Sequence, residues 1–270
     1  MTSSILLLFV YFFSYLSLCD SFFMYNTFFS AYKKIRLNYD NGQYKIKRKP
    51  KSLIVSTPGG IHGFYLLGVS SYIKENYNLT NFIYTGASAG AWNSLYLSFT
   101  GNNTEFINNL LYNDIHNVSS MYELEQTLKQ TILQKYTKND FQMDRINIGV
   151  TVLRKWFNFK LVIYNDFETL EDVLNCCIAS SHIPFITGGL IHRYRGRVTF
   201  DGGFFKYPYL NTSVPVLTIS PSMWNNTFNS NMNVQDYMYS NDLRFNLTNL
   251  YLQGYHDSER NKKYLDDVLL

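Results

Sequence analysis

One serine in this sequence stands where a strand is expected to turn sharply into a helix. Ser88 follows the short, β-prone apolar run 82–84, and residues typical of a helix begin at Ala89. A serine at such a corner takes a strained backbone conformation, and tiny residues two positions before and after it let strand and helix approach. Gly86 and Gly90 meet this requirement. The pattern predicts a nucleophile elbow, with the hydroxyl exposed and helix N–H groups facing a developing oxyanion.

A glycine loop follows an earlier predicted strand, residues 52–57, which is continuously apolar as in a buried parallel sheet. The loop reads Gly59-Gly60-Ile61-His62-Gly63. Its backbone N–H groups can receive an anion, such as the oxyanion that forms when an ester carbonyl is attacked. A dinucleotide-phosphate loop is the alternative. Pro58 disfavours it by breaking the G-x-G-x-x-G register, and no acidic residue ends a second strand about 20 residues later.

A carboxylate stands at the end of another predicted strand, residues 198–200. Asp201 is followed by Gly202 and Gly203, which let the chain turn and approach other backbone closely. An ordinary Asp-Gly turn has the same appearance. A triad in the chain order of the α/β-hydrolases would add His256 to Ser88 and Asp201. That alternative is less favoured, because His256 lies in a polar segment where an exposed histidine is expected.

Together these motifs resemble the patatin-like phospholipases, and among them the adipose-triglyceride-lipase branch most closely. The similarity spans residues 52–221, with the oxyanion loop and first helix at 60–69 and the serine elbow at 86–90. Residues 179–185 and 189–191 are similar to the segment that precedes the family's catalytic Asp-Gly-Gly. The resemblance implies a Ser–Asp dyad with Ser88 as nucleophile and Asp201 as its base.

The same resemblance implies further site residues and a fold. The backbone amides of Gly59, Gly60 and Ile61 would form the oxyanion hole, and Pro58 departs from the family pattern in the first turn of this loop. The elbow and motif glycines are Gly63, Gly86, Gly90, Gly202 and Gly203. The implied fold is a three-layer α/β/α sandwich with a mainly parallel central sheet. The implied function is hydrolysis of fatty-acyl esters, of the phospholipase A or acylglycerol lipase type, through an acyl-enzyme.

A catalytically inert, lipid-binding relative of such enzymes is the main non-enzymatic alternative. It would require the loss of one of the three motifs, whereas Ser88 and Asp201 are both present. The pair therefore favours a serine carboxylic-ester hydrolase.

Composition excludes several other classes. The 270 residues are 46% hydrophobic, enough for a sizeable core, and the formal charge of +4 forms no long basic stripe typical of nucleic-acid binding. Cys19, Cys176 and Cys177 form no disulfide framework, and the histidines and cysteines lack metal-ligand spacing. We expect no cofactor, no metal and no nucleic acid. The expected partners are a lipid substrate and a membrane or lipid surface.

The N-terminal region predicts contact with membranes. Residues 1–32 form a hydrophobic signal peptide or membrane anchor, and residues 33–51 a basic linker. The positive charges follow the apolar run, which favours an anchor with a cytoplasmic domain, whereas Ser17-Leu18-Cys19 is an acceptable cleavage site. We expect the protein to be associated with membranes of the endomembrane or secretory pathway. Residues 52–223 would be the catalytic domain and 224–270 a polar peripheral tail.

The remaining periodicity predicts an alternating α/β order with right-handed crossovers. Further helices are expected at 64–76, 103–109, 122–136 and 170–181, with weak helical character at 249–255. Residues 146–153 and 157–164 are expected to form paired strands, and 214–219 a last core strand.

Overall fold

The structure is a computed structural model that describes residues 52–112, 115, 118–154, 158–204, 215–224 and 247–270. The strands are β1 (Ser52–Ser56), β2 (Phe82–Ala87), β3 (Ile146–Arg154), β4 (Asn158–Tyr164), β5 (His192–Tyr194), β6 (Arg197–Phe200) and β7 (Leu217–Ile219). The helices are α1 (Gly63–Asn76), α2 (Ala89–Ser98), α3 (Asn103–Leu111), α4 (Met121–Lys135), α5 (Leu170–Ser180), α6 (Leu247–Arg260) and α7 (Lys262–Leu269). The predicted segments 1–32 and 33–51, and the start of the predicted strand 214–219, lie outside these ranges.

The strands form one mixed sheet in the order β5-β6-β3-β2-β1-β7, and β4 also pairs with β3. Strands β7, β1, β2 and β3 run parallel, whereas β4, β5 and β6 pair antiparallel. The prediction of an α/β protein with flanking helices is confirmed, but the antiparallel share of the sheet is larger than expected. The short connections between β3 and β4 and between β5 and β6 require two of the antiparallel pairs, because only antiparallel neighbours can be joined without a long crossover.

Strand β5 was absent from the sequence prediction, and a tight hairpin produces it. Arg195 and Gly196 connect β5 to β6, and both have positive φ, at 46° and 75°. Two such residues in succession are typical of a two-residue turn that matches the twist of the flanking strands. An arginine in the first position does not signal this turn in the sequence.

The sheet core is apolar on both faces. Leu53, Ile54 and Val55 of β1 are each no more than 1% exposed, as the continuous apolar run predicts. The predicted helices form with ends close to those expected, and β3 and β4 pair as anticipated. Within the described ranges, no helix has both the length and the apolar character needed to cross a membrane.

Helix α6 packs closely on α1, so residues 247–260 differ from the peripheral tail expected for 224–270. Residues 225–246 of that predicted tail lie outside the described ranges. A Cβ atom built on Gly68 would lie 1.9 Å from the Tyr251 carbonyl oxygen, and one on Gly254 would lie 2.0 Å from that of Tyr65. The two backbones are therefore in direct contact. The buried Tyr65 hydroxyl also donates to Asp257 Oδ2 at 2.9 Å. Apart from Leu247 at its start, the buried residues of α6 are the small or polar Gly254, Asp257 and Ser258, so hydrophobic periodicity reveals this face poorly.

Candidate active site

Ser88 occupies the corner between β2 and α2. Its backbone angles, φ 55° and ψ −129°, lie outside the regions that residues with a side chain normally adopt. A Cβ on Gly86 would lie 2.0 Å from the Gly90 carbonyl oxygen, and one on Gly90 would lie 2.0 Å from that of Ser56. Glycine at both positions therefore lets β1, β2 and α2 touch through their backbones. The contacts hold Ser88 in its strained conformation.

The sheet brings Asp201 to the same place. Strand β4 pairs along one edge of β3. The β3 residues that pair with β2 or with β6 also pair with β4, so β2 and β6 must both lie on the other edge of β3. Strand β2 runs parallel to β3 and β6 antiparallel, so their carboxyl ends point toward each other. Ala87 pairs with Gly149, and Phe200 pairs with Thr151, two residues further along. The residues that follow the two strands, Ser88 and Asp201, therefore meet.

The two side chains form a buried polar pair. Ser88 and Asp201 are each 6% exposed, and the Ser88 hydroxyl is hydrogen-bonded to the Asp201 carboxylate. The Gly203 N–H donates to Asp201 Oδ1 at 2.6 Å. Burial raises the pKa of Asp201 to about 6, and the two hydrogen bonds only partly oppose this shift. A carboxylate with this pKa is ionised at neutral pH and accepts a proton more readily than an ordinary aspartate.

The end of α5 fixes the backbone of both residues. Ser180 Oγ accepts a hydrogen bond from the Ser88 N–H at 2.8 Å and donates to the Gly149 carbonyl at 2.7 Å. Two residues later, the His182 carbonyl accepts the Asp201 N–H at 2.8 Å. Sequence reasoning recognised this segment only as similar to a family motif and assigned no role to Ser180. The adjacent Ser-Ser-His in that motif was the available signal.

The glycine loop lies against both halves of the site. A Cβ on Gly63 would lie 2.9 Å from Ala89 Cβ, immediately after Ser88, and one on Gly203 would lie 2.9 Å from Pro58 Cγ. Gly60 has φ 53° and is exposed, whereas Ile61 is buried and anchors the loop.

The loop also presents unused donors. Among the described residues, none accepts a hydrogen bond from the backbone N–H of Gly59, Gly60 or Ile61. These amides beside the Ser88 turn are available to an anion, as is the start of α2.

Glu125 of α4 is a second buried carboxyl group beside this site, which the sequence did not single out. It is 4% exposed, hydrogen-bonds to Ser181, and its Oε2 has no partner within the described ranges. Burial raises the pKa of Glu125 well above its usual value, and the charge of Asp201 raises it further. Burial therefore favours the neutral form of Glu125, which places no second negative charge beside Asp201. A glutamate in a largely polar helix gives no sequence signal of such burial.

The rings of His256 and His182 take no part in the Ser88–Asp201 pair. His256 lies on α6 with an exposed side chain and contacts Glu259 at 3.3 Å. His182 is buried, and burial beside His192 lowers its pKa to about 4, so its ring is neutral. It meets Asp201 through its carbonyl and not through its ring. No group of three or more potential metal ligands occurs in the part of the chain that the structure describes.

Comparison with known proteins identifies one family. A family model for patatin-like phospholipases matches residues 58–212, more than half of the chain, and the match includes Ser88 and Asp201. The family model does not distinguish the branches of this family, so the greater similarity to the adipose-triglyceride-lipase branch stays a prediction. No curated protein matches the chain in sequence.

Among solved structures, VipD from Legionella pneumophila is similar, with 14% identity and a TM-score of 0.36. The alignment covers 61% of this chain and 48% of VipD, so it spans about half of that protein's length.

Proposed function

Because the chain belongs to the patatin-like phospholipase family, we propose that it hydrolyses fatty-acyl esters of lipids through a Ser88–Asp201 dyad. One observation carries this proposal: a strained, buried serine shares a hydrogen bond with a buried aspartate whose pKa is raised to about 6. Family membership supports a lipolytic hydrolase. The site geometry supports the assignment of roles to individual residues.

In the first step, the ionised Asp201 accepts the Ser88 proton while Ser88 Oγ attacks the ester carbonyl carbon. The carbonyl π electrons move to its oxygen, which becomes an oxyanion. The N–H groups of Gly59, Gly60 and Ile61, together with those that open α2, are the donors that can stabilise it. These donors are fixed by backbone before the substrate arrives, so little reorganisation is needed during the reaction.

The tetrahedral intermediate then collapses, and the C–O bond to the leaving group breaks. Protonated Asp201 returns its proton to the departing alkoxide, which leaves an acyl group on Ser88. Water enters, gives a proton to Asp201 and attacks the acyl carbon. Collapse of the second intermediate releases the fatty acid and returns the proton to Ser88. No histidine is required, since Asp201 contacts Ser88 directly.

Backbone hydrogen bonds fix the positions of Ser88 and Asp201. The Gly203 N–H holds one oxygen of Asp201, and the segment from Ser180 to His182 holds the backbone N–H groups of both dyad residues. A Cβ on Gly202 would lie 2.1 Å from the Gly149 carbonyl oxygen, so only glycine lets the turn after Asp201 pack on β3.

The test is hydrolysis of a lipid panel by the purified full-length chain. Phosphatidylcholine, triacylglycerol and lysophosphatidylcholine present the same ester with different surroundings, so their relative rates identify the substrate class. We expect Ser88→Ala to abolish fatty-acid release, whereas Ser222→Ala, which changes an exposed serine, retains it. An active, folded Ser88→Ala protein would refute the proposal. No hydrolysis by the parent chain would favour an inert, lipid-binding protein.

A further inference from the structure

Ser181 stands in the chain between the two residues that hold the dyad. One neighbour, Ser180, accepts the Ser88 N–H with its Oγ at 2.8 Å. The other neighbour, His182, accepts the Asp201 N–H with its carbonyl at 2.8 Å. A displacement of Ser181 therefore moves the groups that hold both dyad residues, so the contacts of Ser181 bear on the geometry of the dyad.

The side-chain hydroxyl of Ser181 joins three helices. Its Oγ lies 2.9 Å from the Cys177 carbonyl oxygen and 3.5 Å from that of Ile178, both in α5. The indole Nε1 of Trp92, on α2, lies 3.4 Å from the same Oγ. A further hydrogen bond connects Ser181 to the carboxyl group of Glu125, on α4. Helices α2, α4 and α5 therefore meet at this one oxygen atom.

Counting protons assigns the direction of the hydrogen bond to Glu125. A serine hydroxyl has one proton to donate and two lone pairs that accept. The carbonyl oxygens of α5 can only accept, so the Ser181 proton is directed to them, with the shorter distance to Cys177. The Trp92 N–H can only donate, and it uses one lone pair of the hydroxyl. The second lone pair is left for Glu125, which can donate to it only when its carboxyl group carries a proton.

The surroundings disfavour the opposite arrangement, in which Ser181 donates to an ionised Glu125. Glu125 is 4% exposed, and within the described ranges its Oε2 has no partner, so a carboxylate would bury a charged oxygen without a donor. The titratable groups beside it are Asp201, whose charge opposes a second negative charge, and the Cys177 thiol, whose pKa is raised by burial. Among the described residues, no cation compensates a charge at Glu125.

From these contacts we infer that Glu125 is a positioning residue, a protonated carboxylic acid whose hydrogen bond to Ser181 holds the segment 180–182 in place. In this role Glu125 acts through Ser181 and exchanges no proton with Ser88 or Asp201. A neutral donor binds Ser181 without placing a second negative charge beside the base. The inference rests on the proposed hydrolysis, to which it adds one residue and the protonation state in which that residue works.

Infrared spectroscopy tests the protonation of Glu125 without catalysis. A protonated carboxylic acid has a C=O stretching band that a carboxylate lacks. At about pH 8 exposed carboxyl groups are ionised, and so is Asp201, whose pKa is about 6. We expect this band in the difference between the parent and Glu125→Gln, and not in the difference between the parent and Glu171→Gln, which changes an exposed carboxylate on α5. Absence of the band from the Glu125→Gln difference would overturn the inference.

Hydrogen exchange tests whether Glu125 positions the dyad, again without catalysis. Glu125→Met keeps an unbranched side chain but has no proton to donate, whereas Glu125→Gln keeps a donor. We expect peptides that contain the Ser88 and Asp201 amides to exchange at least about threefold faster in Glu125→Met and at the parent rate in Glu125→Gln. A peptide from β1 should not change, because it reports global destabilisation. Equal acceleration in β1, or no acceleration at Ser88 and Asp201, would overturn the inference.

Kinetics with a soluble p-nitrophenyl ester connect this position to the reaction rate. Glu125→Met should lower kcat at least about tenfold with KM nearly unchanged, because misplaced groups affect the transition state more than binding. Glu125→Gln should keep kcat within about threefold, since its amide still donates to Ser181. The matched control, Gln130→Met, changes an exposed position of α4 and should keep the parent kcat. Equal losses in Glu125→Met and Glu125→Gln would overturn the inference.

A double variant tests whether the effect passes through Ser181. In a Ser181→Ala background, Glu125→Met should cause little further loss of kcat, because the partner of the hydrogen bond is already absent. Losses that multiply in the double variant would show that Glu125 acts by another route and would overturn the inference.

These measurements separate the inference from the proposed function. If the parent chain hydrolyses no ester, the proposed function fails, and the exchange rates at Ser88 and Asp201 still decide whether Glu125 positions them. If the parent is active and Glu125→Met is equally active, the enzyme assignment stands and the positioning role of Glu125 is refuted.

Discussion

The Asp201→Asn substitution distinguishes a dyad from a triad. Asparagine keeps the shape of the side chain and can still accept the Gly203 hydrogen bond, but its amide cannot take the Ser88 proton. No other base among the described residues contacts Ser88. We therefore expect kcat/KM to fall by at least about a thousandfold, the scale set by losing a general base together with serine activation. That loss corresponds to about 4 kcal/mol of transition-state stabilisation.

His256→Ala is the matched variant, and it should leave kcat/KM nearly unchanged. In an Asp–His–Ser triad Asp201 would only orient His256, whereas the structure places His256 beside Glu259 on α6. The assay is hydrolysis of a short-chain p-nitrophenyl ester, with circular dichroism to establish folding. A collapse of activity in both variants would refute the dyad and support an α/β-hydrolase triad.

The pH dependence of the parent protein adds an independent criterion. The base must be ionised, and burial raises the pKa of Asp201 to about 6. The value of kcat/KM should therefore be constant above this pKa and fall about tenfold per pH unit well below it. His256→Ala should keep the same acid limb. Disappearance of that limb in His256→Ala would identify the histidine as the titrating group.

Four further perturbations test the fold and its environment. The raised pKa of Asp201 means that its contribution to stability is full below about pH 4 and lost as pH rises through about 6. The Asp201→Asn side chain cannot ionise, so the Tm of this variant should exceed that of the parent at about pH 8 and nearly equal it at about pH 4. The same Tm difference at both pH values would contradict a raised pKa of Asp201. Gly254→Ala should cost about 1–3 kcal/mol in urea unfolding, because its Cβ would meet the Tyr65 carbonyl. Gly189→Ala, with nothing within 4 Å, is its control, and equal losses would refute close α1–α6 contact. Glu125→Gln should preserve the pH profile of kcat/KM, since burial raises the pKa of Glu125 and favours its neutral form, whereas a shifted acid limb would show an ionised Glu125. Residues 1–32 should keep full-length protein in membranes after an alkaline carbonate wash, and soluble protein beginning at Asp20 would show a cleaved signal instead.

Local sequence patterns predicted much of the fold, because strands such as β1 are continuously apolar and the Ser88 corner needs glycines at fixed spacing. They did not predict β5, whose turn uses Arg195 in a left-handed conformation. They also missed the packing of α6, where the buried residues after Leu247 are Gly254, Asp257 and Ser258 and none of them is large and apolar. The deciding feature is a backbone conformation for β5 and a close backbone contact for α6, and neither produces a hydrophobic period in the sequence.

Some residues of the candidate site were predicted from the sequence and others were not. Ser88, Asp201 and the glycine loop stand out because each belongs to a short motif. Ser180 and Glu125 belong to the site through partners that are distant in the chain. Ser180 is hydrogen-bonded to Ser88 and Gly149. Glu125 is hydrogen-bonded to Ser181, and the charge of Asp201 raises its pKa. Only the folded structure shows these contacts. They form around the place where β2 and β6 meet on one edge of β3, and that meeting depends on the pairing register.

The most direct test of the central claim is to map the covalent adduct of a fluorophosphonate probe by peptide mass spectrometry. The probe reacts with a serine that is activated by a base and faces an oxyanion hole. We predict one adduct, on Ser88, that disappears in Ser88→Ala, is strongly reduced in Asp201→Asn and persists in His256→Ala. Ester hydrolysis accompanied by an adduct on another residue, or labelling of Ser88 that is unchanged in Asp201→Asn, would contradict the Ser88–Asp201 dyad.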